Sequence, residues 1–349
     1  DVCLEDRTYR RKFIKYFQCE RYPYRSPFDF DSMEDYREYV RVNELRTLNG
    51  DVVKSFEEVL ISNFLSANGI RFEYERRYEV DTRTPGFSQY RPDFYLMDYG
   101  IYIEHFALDH AGMPPKHFNQ QAYLDGIQWK RKLHEENETA LIETYSHLRW
   151  DGRLEDHLKS VLEEAGVEFK PKTSEELLKE LREGSLVSDF AKLLSDFITL
   201  FKTAAGDVEE LKTKAKAHPD RSRILLLLEL IVPIVKIYDQ HLKTNGEIDF
   251  SDMIWRAVSY VETGEYRSPY HHILVDEFQD ISGTRARLIK GLLDQNRDQV
   301  FYAVGDDWQS IYRFTGSDIS YTRDFAKKFG ATATTALDLT FRFNQEISD

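Results

Sequence analysis

Residues 273–280 read Ile-Leu-Val-Asp-Glu-Phe-Gln-Asp, with two adjacent carboxylates, Asp276 and Glu277, directly after an apolar run. A short continuous apolar run is typical of a buried strand in a parallel sheet. Ligands of α/β proteins bind at the carboxyl ends of such strands. An aspartate there can hold Mg²⁺ on a nucleotide, and the next carboxylate can polarise an attacking water. Taken alone, the pair could instead cap the helix that follows.

Two further segments follow this strand along the chain. Residues 304–316 read Val-Gly-Asp-Asp-Trp-Gln-Ser-Ile-Tyr-Arg-Phe-Thr-Gly and close a second apolar strand, predicted over 300–304. Residues 337–343 read Leu-Asp-Leu-Thr-Phe-Arg-Phe. A helical pattern over 284–294 lies between the first two segments. Strands that alternate with helices predict a parallel, doubly wound sheet.

In this order and at these spacings, the three segments resemble motifs II, III and IV of the UvrD/Rep superfamily 1 DNA helicases, most closely the helicase IV branch. Residues 248–254, Ile-Asp-Phe-Ser-Asp-Met-Ile, resemble the segment that these helicases carry before motif II. The resemblance covers about residues 245–349. It implies an α/β fold with a partial RecA-like P-loop NTPase domain at 256–349, after a helical, 1B-like subdomain at 151–255.

The resemblance implies a role for four residues in ATP hydrolysis. Asp276 would be the ligand of the Mg²⁺ that accompanies ATP, and Glu277 would be the general base. Gln309 would sense the γ-phosphate, and Arg342 would stabilise charge on the transferring phosphoryl group. The implied partners are ATP and DNA that is single-stranded or carries a single-stranded tail, with movement in the 3′→5′ direction.

Aromatic residues of the second segment are candidates for contact with DNA. Tyr312 and Phe314 lie where members of the family stack the bases of single-stranded DNA, and an aromatic face can stack on any base. Packing in a core is the alternative for either ring. We expect Trp308 to pack beneath the motif III turn, because its neighbours carry the polar contacts.

The sequence departs from the family pattern in two ways. Thr315 stands where many relatives have arginine, and Thr340 and Phe343 replace the commoner asparagine and serine around Arg342. The larger departure is that no G-x-x-x-x-G-K-[ST] loop, which cradles the phosphates of ATP, occurs in the sequence. We therefore expect an internal fragment of a longer helicase, without initiator methionine and without ATPase activity of its own.

Residues 51–150 carry a separate pattern of secondary structure and carboxylates. A helical pattern is followed by three β-prone runs, a second helical pattern and a last strand, at residues 55–68, 72–74, 90–96, 101–106, 121–138 and 139–145. This order predicts a compact α/β unit. Glu57 lies on the first helix, Asp93 follows Arg-Pro at the start of one strand, and Glu104 lies near the end of the next.

This pattern resembles the PD-(D/E)xK restriction-endonuclease-like fold, which implies that Asp93 and Glu104 bind a divalent metal, Mg²⁺ or Mn²⁺, that activates water against a phosphodiester. Phe106 occupies the position of the family lysine. Lys130 or Lys132 on the next helix could supply a migrated cation, and His105 could do acid/base work. The basic run at 130–132 could also be a solvated helix face.

Three interpretations of residues 51–150 stay open: an active metal-dependent nuclease, an inactive nuclease-like domain that grips the DNA backbone, and a structural coincidence. For the whole protein we weigh three hypotheses: a fragment of an ATP-dependent DNA helicase that bears a nuclease-like insertion, a helicase-nuclease of DNA repair or defence, and a DNA-binding module without catalysis. Cleavage of DNA in the presence of a divalent metal would separate the last two.

Composition restricts the class of protein further. The 349 residues include 47 basic and 61 acidic side chains, a formal charge of −14, so DNA contacts must be local rather than spread over a basic surface. The two cysteines suggest neither a disulfide framework nor a cysteine zinc site. The longest apolar run, residues 224–235, is too short to span a membrane.

We expect a cytoplasmic protein. Residues 1–50 are predicted to form two short helices, and the sequence indicates no particular protein partner.

Overall fold

The computed structural model describes residues 2–84, 88–204, 206–296, 298–311 and 316–337. These residues form a mixed α/β protein that is mostly helical, with one four-stranded and one two-stranded sheet. The mixed α/β class predicted from the sequence is therefore confirmed. The chain divides into two compact units, the first formed by Asp1–Ala191 and Lys212–Ile234 and the second by Lys192–Leu211 and Val235–Asp349.

Within residues 51–150 of the first unit, the helices and strands follow the predicted order. Its elements are α1 (Val2–Glu5), α2 (Arg7–Lys15), α3 (Met33–Asn43), α4 (Phe56–Ala67), β1 (Phe72–Tyr74), β2 (Phe94–Leu96), β3 (Ile101–Phe106), α5 (Gln120–Glu136), β4 (Ala140–Tyr145), α6 (Ser146–Trp150), α7 (Leu154–Glu164) and α8 (Ser174–Glu183). A π-helical turn at Tyr16–Glu20 extends α2, and a 3₁₀ turn lies at Pro27–Asp29.

Three helices cross the division between the units, and the remaining elements belong to the second unit. The crossing helices are α9 (Leu186–Thr203), α10 (Val208–Ala217) and α11 (Arg221–Asn245). The second unit adds α12 (Phe250–Glu262), β5 (His272–Val275), α13 (Gly283–Asp294), β6 (Val300–Ala303), α14 (Ser320–Arg323) and α15 (Phe325–Phe329), with 3₁₀ turns at Phe278–Asp280 and Asp307–Gln309. Within the described residues, no helix is both long and apolar enough to cross a membrane.

The four-stranded sheet has the order β1-β2-β3-β4. The first three strands pair antiparallel, and β3 pairs parallel with β4, with Glu104 opposite Glu143. Helix α4 begins where the sequence predicts, because the Ser55 side chain accepts the backbone N–H of Glu58 as an N-cap.

The two faces of this sheet are covered by different helices. On one face, apolar residues of α4 and α7, such as Leu60 and Leu158, form a core cluster that includes Ile103. On the other face Tyr102 packs in a cluster with Leu133 of α5. Successive strand side chains point to opposite faces. Residue 104 therefore faces α5, and the residues on either side of it in β3 face α4.

In the second unit, β5 and β6 pair in parallel, with Val275 opposite Ala303. One face of the pair packs on Phe278, Ile281, Ala286 and Ile289. On the other face Leu274 is 70% and Tyr302 is 53% exposed. The sequence predicted β5 as a strand buried on both faces, and that prediction is wrong for the described residues, because their packing covers one face only.

Candidate functional site

Three acidic side chains from different elements of the first unit lie near enough for their charges to affect one another. Glu58 lies in the first turn of α4, Asp93 precedes β2, and Glu104 lies on β3. Glu58 is 7% and Glu104 is 1% exposed. Burial raises the pKa of all three carboxyls, that of Glu58 to about 7. The charge of Asp93 further raises the pKa of Glu58, and the charge of Glu104 further raises that of Asp93.

Lys130 of α5 provides the cation of this group. Its Nζ lies 2.5 Å from Glu104 Oε2. The hydroxyl of Tyr90 donates to the other oxygen, Glu104 Oε1, at 2.6 Å. Lys132, the alternative from the sequence, instead pairs with Glu136 at 3.4 Å on the exposed surface of the same helix. The structure therefore brings Lys130, and not Lys132, to the carboxylates.

The acid that α4 contributes differs from the one selected from the sequence. Glu57 is fully buried and accepts a hydrogen bond from the Tyr24 hydroxyl at 3.2 Å. Glu58 instead accepts from the Tyr74 hydroxyl at 2.6 Å, and the nearby charge of Asp93 raises its pKa. Consecutive side chains of a helix point about 100° apart, so Glu57 and Glu58 face different directions. Which of the two faces Asp93 can be told only when the packing of α4 is known. The Ser55-x-x-Glu58 capping pattern was the sequence signal that could have drawn attention to Glu58.

His105 does not join the carboxylates, so the acid/base role expected for it does not fit its position. Its ring is on the α4 face of the sheet, opposite Glu104, and its Nδ1 lies 2.9 Å from Thr144 Oγ1. Burial lowers its pKa to about 3, which keeps the ring neutral. Its backbone N–H does contribute, because it donates to Asp93 Oδ2 at 2.7 Å.

The donor set of this group fits a hard divalent cation. Mg²⁺ and Mn²⁺ prefer oxygen ligands, and among the described residues Glu104 is the one of these three carboxyls that forms an ion pair with a lysine. Buried carboxylates with too little compensating charge take up protons or bind a cation. In the part of the chain that the structure describes, Glu58, Asp93 and Glu104 do not bring three oxygens within 4.8 Å of one another. Cation binding would therefore require the side chains to close in.

The candidate residues of the second unit lie at the carboxyl ends of its two parallel strands. Asp276 and Glu277 follow β5, and Asp306 and Gln309 follow β6. All four are exposed. The pairing of β5 with β6 therefore brings the two segments quoted from the sequence to one edge of the sheet.

A chain of hydrogen bonds joins these two segments. Gln309 Nε2 donates to Asp306 Oδ2 at 2.8 Å, and the Asp306 backbone N–H donates to Gln279 Oε1 at 3.1 Å. Gln279 Nε2 then donates to Glu277 Oε2 at 2.7 Å. Gln279 is 2% exposed, so its amide is a fixed link between two exposed groups. Gln279 belongs to the segment 273–280, but nothing in the pattern of that segment indicated that its side chain would link Asp306 to Glu277.

Backbone geometry holds the two segments in this arrangement. Glu277 adopts a left-handed conformation with φ 50° and ψ 44°, which is uncommon for a residue other than glycine. A Cβ at Gly305 would lie 2.8 Å from Gln279 Oε1 and 3.1 Å from the Gln279 backbone nitrogen. Only glycine therefore allows the segment after β6 to approach Gln279 this closely.

The remaining predictions for this unit have different outcomes. Trp308 is 93% exposed, so the expectation that it packs beneath the turn is wrong. The 3₁₀ turn at Asp307–Gln309 presents it to solvent, while the backbone of the turn makes the contacts with Asp306. Tyr312, Phe314 and Arg342 lie outside the described residues.

Comparison with known proteins places these segments among helicases. The sequence profile of the UvrD/REP helicase N-terminal domain matches residues 109–330, more than half of the chain. DNA helicase IV of Escherichia coli is 38% identical over 184 residues, which cover 50% of this chain and 26% of that protein. The chain thus spans about a quarter of that relative.

Two more distant relatives are similar over other lengths. An ATP-dependent helicase/nuclease subunit from Streptococcus thermophilus is 27% identical over 260 residues, 70% of this chain and 20% of that protein. The ATP-dependent DNA helicase UvrD1 of Mycobacterium leprae is 28% identical over 169 residues, 45% of this chain and 21% of that protein.

Proposed function

The chain belongs to the UvrD/REP helicase family, and from this premise we propose that it is part of an ATP-dependent DNA helicase of the helicase IV type. In this proposal, residues 256–349 belong to a RecA-like motor domain and the helices of residues 151–255 form its 1B-like subdomain. The complete protein would couple ATP hydrolysis to 3′→5′ movement on single-stranded DNA in the cytoplasm.

The hydrogen-bond chain between the two strand ends is the observation that carries this proposal. Asp276 offers an exposed carboxylate, which suits the Mg²⁺ of bound ATP. Magnesium ATP would supply the electrophilic phosphoryl group and part of the charge stabilisation. Glu277 would orient and deprotonate the attacking water, and its Oε2 is held by Gln279. A Gln309 side chain that turns to the γ-phosphate would release Asp306, and Gln279 would pass that change to Glu277.

The DNA contacts of the proposal rest on the motif resemblance. Tyr312 and Phe314 would stack bases of single-stranded DNA, and Arg342 would stabilise charge on the transferring phosphoryl group.

A test of the motor needs a chain that also contains an upstream phosphate-binding loop. In that chain Glu277→Gln should lower DNA-stimulated ATPase activity by about 100-fold or more, because general-base catalysis contributes at least this factor, while nucleotide binding persists. Glu265→Gln, a change at an exposed carboxylate of the same unit, is the matched control and should leave the rate unchanged. A Glu277→Gln rate equal to that of the unmodified chain would disprove the assignment.

A second candidate function is metal-dependent cleavage of DNA by residues 51–150. The observation that favours it is Lys130, 2.5 Å from Glu104, which is one of three carboxyls on an αβββαβ unit whose pKa values are raised by burial. The name of the Streptococcus thermophilus relative also joins helicase with nuclease. Mg²⁺ or Mn²⁺ would supply an activated water. Glu58, Asp93 and Glu104 would hold the ion, and Lys130 would position the phosphate or the nucleophile.

This second function can be tested on the 349-residue chain itself. We would titrate Mg²⁺ and Mn²⁺ against single- and double-stranded DNA and compare Asp93→Asn with Asp98→Asn. Asp98 pairs with Arg71 on the surface and serves as the control. Cleavage that Asp93→Asn abolishes would support the nuclease. DNA binding without cleavage would support a nuclease-like domain that grips the DNA backbone. A chain that neither cleaves nor binds DNA would rule out both functions.

A further inference from the structure

A second cluster of potential metal ligands lies at another place in the first unit. His110 is in the loop after β3, His147 lies on α6, and Asp151 immediately follows α6. Each offers one ligand atom, and the three atoms lie within 4.8 Å of one another; no other trio of His, Cys, Asp or Glu does so in the described ranges. His110 Nε2 is 3.0 Å from Asp151 Oδ1, and the two imidazole centroids are 5.1 Å apart.

The parallel pairing of β3 and β4 explains why these residues meet. The carboxyl ends of the two strands are adjacent, and each is followed by one part of the cluster. The backbone N–H of His147 donates to Leu108 O at 3.2 Å, which ties the start of α6 to the loop that carries His110. The scaffold of the cluster is therefore the sheet itself rather than a free loop.

An unpaired nitrogen and an adjacent cavity leave this cluster open to a ligand. His147 Nδ1 is enclosed and makes no hydrogen bond within the described residues. An enclosed nitrogen without a partner is costly unless something else satisfies it. His110 and His147 also line a cavity of about 360 Å³, which has room for water beside the cluster.

We propose that His110, His147 and Asp151 bind a zinc ion, with water as the fourth ligand. Two imidazoles and one carboxylate are a common donor set for Zn²⁺, whereas Mg²⁺ and Ca²⁺ prefer oxygen ligands to imidazole nitrogen. Ligand atoms of a tetrahedral zinc site lie about 3.3 Å apart, given zinc–nitrogen distances of about 2 Å. The 3.0 Å between His110 and Asp151 is already close to this value. The ion would fix the loop after β3 to α6.

This proposal is independent of the motor and of the nuclease. The carboxylate group of Glu58, Asp93 and Glu104 offers oxygen ligands only, whereas the histidine cluster offers nitrogen. The two groups should therefore differ in metal preference, with Mn²⁺ or Mg²⁺ for the carboxylates and Zn²⁺ or Co²⁺ for the histidines.

The test is metal binding by the metal-free 349-residue chain at neutral pH. Calorimetry with Zn²⁺ should find one tight site, and Co²⁺ should give the visible absorption bands of a tetrahedral nitrogen-ligated ion. His110→Ala should weaken the affinity by about 100-fold or more, since even the loss of an outer-shell partner costs 10–100-fold. The His110 side chain is 61% exposed, so this variant should fold normally. His241→Ala, at an exposed histidine of the second unit, is the control and should bind as the unmodified chain does.

Two results would overturn the zinc site. One is a failure to show the site at all, either because Zn²⁺ does not bind or because His110→Ala and Asp151→Asn leave its affinity unchanged. The other is Zn²⁺ binding that Asp93→Asn abolishes while His110→Ala does not, which would assign the ion to the carboxylate group. Tight binding that survives Asp93→Asn and is lost in both cluster variants would support the proposal.

Discussion

The two units present their candidate acidic side chains to solvent in opposite ways. In the first unit Glu58 and Glu104 are almost fully removed from water, and Lys130 and Tyr90 contact Glu104. In the second unit Asp276 and Glu277 are exposed at the strand end.

The difference lies in what compensates the negative charge. A buried carboxylate needs a proton, a cation or hydrogen-bond donors within the fold, because water cannot supply them. An exposed carboxylate is compensated by solvent, so the fold has only to orient it, here through Gln279. Changes around the carboxylates of the first unit should therefore alter stability as well as function, whereas changes at those of the second should alter function alone.

The largest difference should come from truncating the two sheets. Phe94 of β2 is fully buried, with its ring 5.6 Å from the rings of Phe72 and Tyr74. Phe94→Ala should destabilise the first unit by about 4 kcal/mol, from lost burial and a cavity. Leu274→Ala, on the exposed face of β5, should change the stability of the second unit by no more than about 0.5 kcal/mol.

Urea unfolding followed by hydrogen–deuterium exchange would measure these changes, because peptides from each unit report separately. A large loss of stability from Leu274→Ala would contradict this expectation. It would mean that the apolar face of β5 and β6 is covered in solution.

A smaller difference is expected between a buried and an exposed ion pair. Lys130→Met leaves Glu104 buried without its cation and should destabilise the first unit by about 3 kcal/mol. Arg287→Met removes the partner of Glu262, where the side chains are 51% and 39% exposed, and should cost little. Hydrogen–deuterium exchange in urea would measure both costs.

Two further measurements test whether the unpaired charge of Glu104 causes the loss of stability. Burial raises the pKa of Glu104, so the cost of Lys130→Met should shrink at acid pH, where a proton replaces the lysine. The double variant Lys130→Met, Glu104→Gln should recover much of the stability, because no unpaired charge remains buried. Equal costs for Lys130→Met and Arg287→Met would show that Glu104 is hydrated in solution.

The sequence was sufficient for features that depend on local patterns. Helix α4 was predicted at 55–68 and is found at Phe56–Ala67, because a serine N-cap and a regular apolar spacing define it. Strand β3 was predicted and is observed at 101–106. The lysine that approaches Glu104 was also among the two candidates named, since charge and helical position narrowed the choice.

Features that depend on tertiary packing could not be predicted in the same way. The choice between Glu57 and Glu58 depends on which side of α4 faces Asp93. The meeting of His110 with His147 depends on the parallel pairing of β3 with β4, which brings together residues far apart in the chain. The exposure of Trp308 depends on how the turn after β6 is oriented. The capping pattern of Ser55 and Glu58 was a local signal for the first of these features, but the other two leave no local pattern. Strand alternation alone could also have placed the His105 side chain opposite Glu104.

The pH dependence of stability should have opposite signs at one acid of each unit. Burial raises the pKa of Glu57 from 4.5 to about 7, and its Oε2 has no hydrogen-bond partner within the described residues. Glu57 therefore binds a proton more tightly in the folded state than in the unfolded state. Its contribution to the stability of the fold is present at low pH and is lost as the pH rises towards about 7. Glu57→Gln removes the titration and should reduce the fall in stability between about pH 5 and pH 8 by about 2–3 kcal/mol.

Glu262 of the second unit is the comparison, because its hydrogen bonds with Arg287 lower its pKa. Its contribution is present above the pKa of the unfolded state and is lost as the pH falls, so Glu262→Gln should remove a small stabilisation that exists only at neutral and alkaline pH. Unfolding free energies at the two pH values give the result as a difference, in which any pH-independent cost of the glutamine side chain cancels. A pH profile that Glu57→Gln leaves unchanged would mean that Glu57 ionises freely, and the contrast in carboxylate burial between the units would then not extend to Glu57.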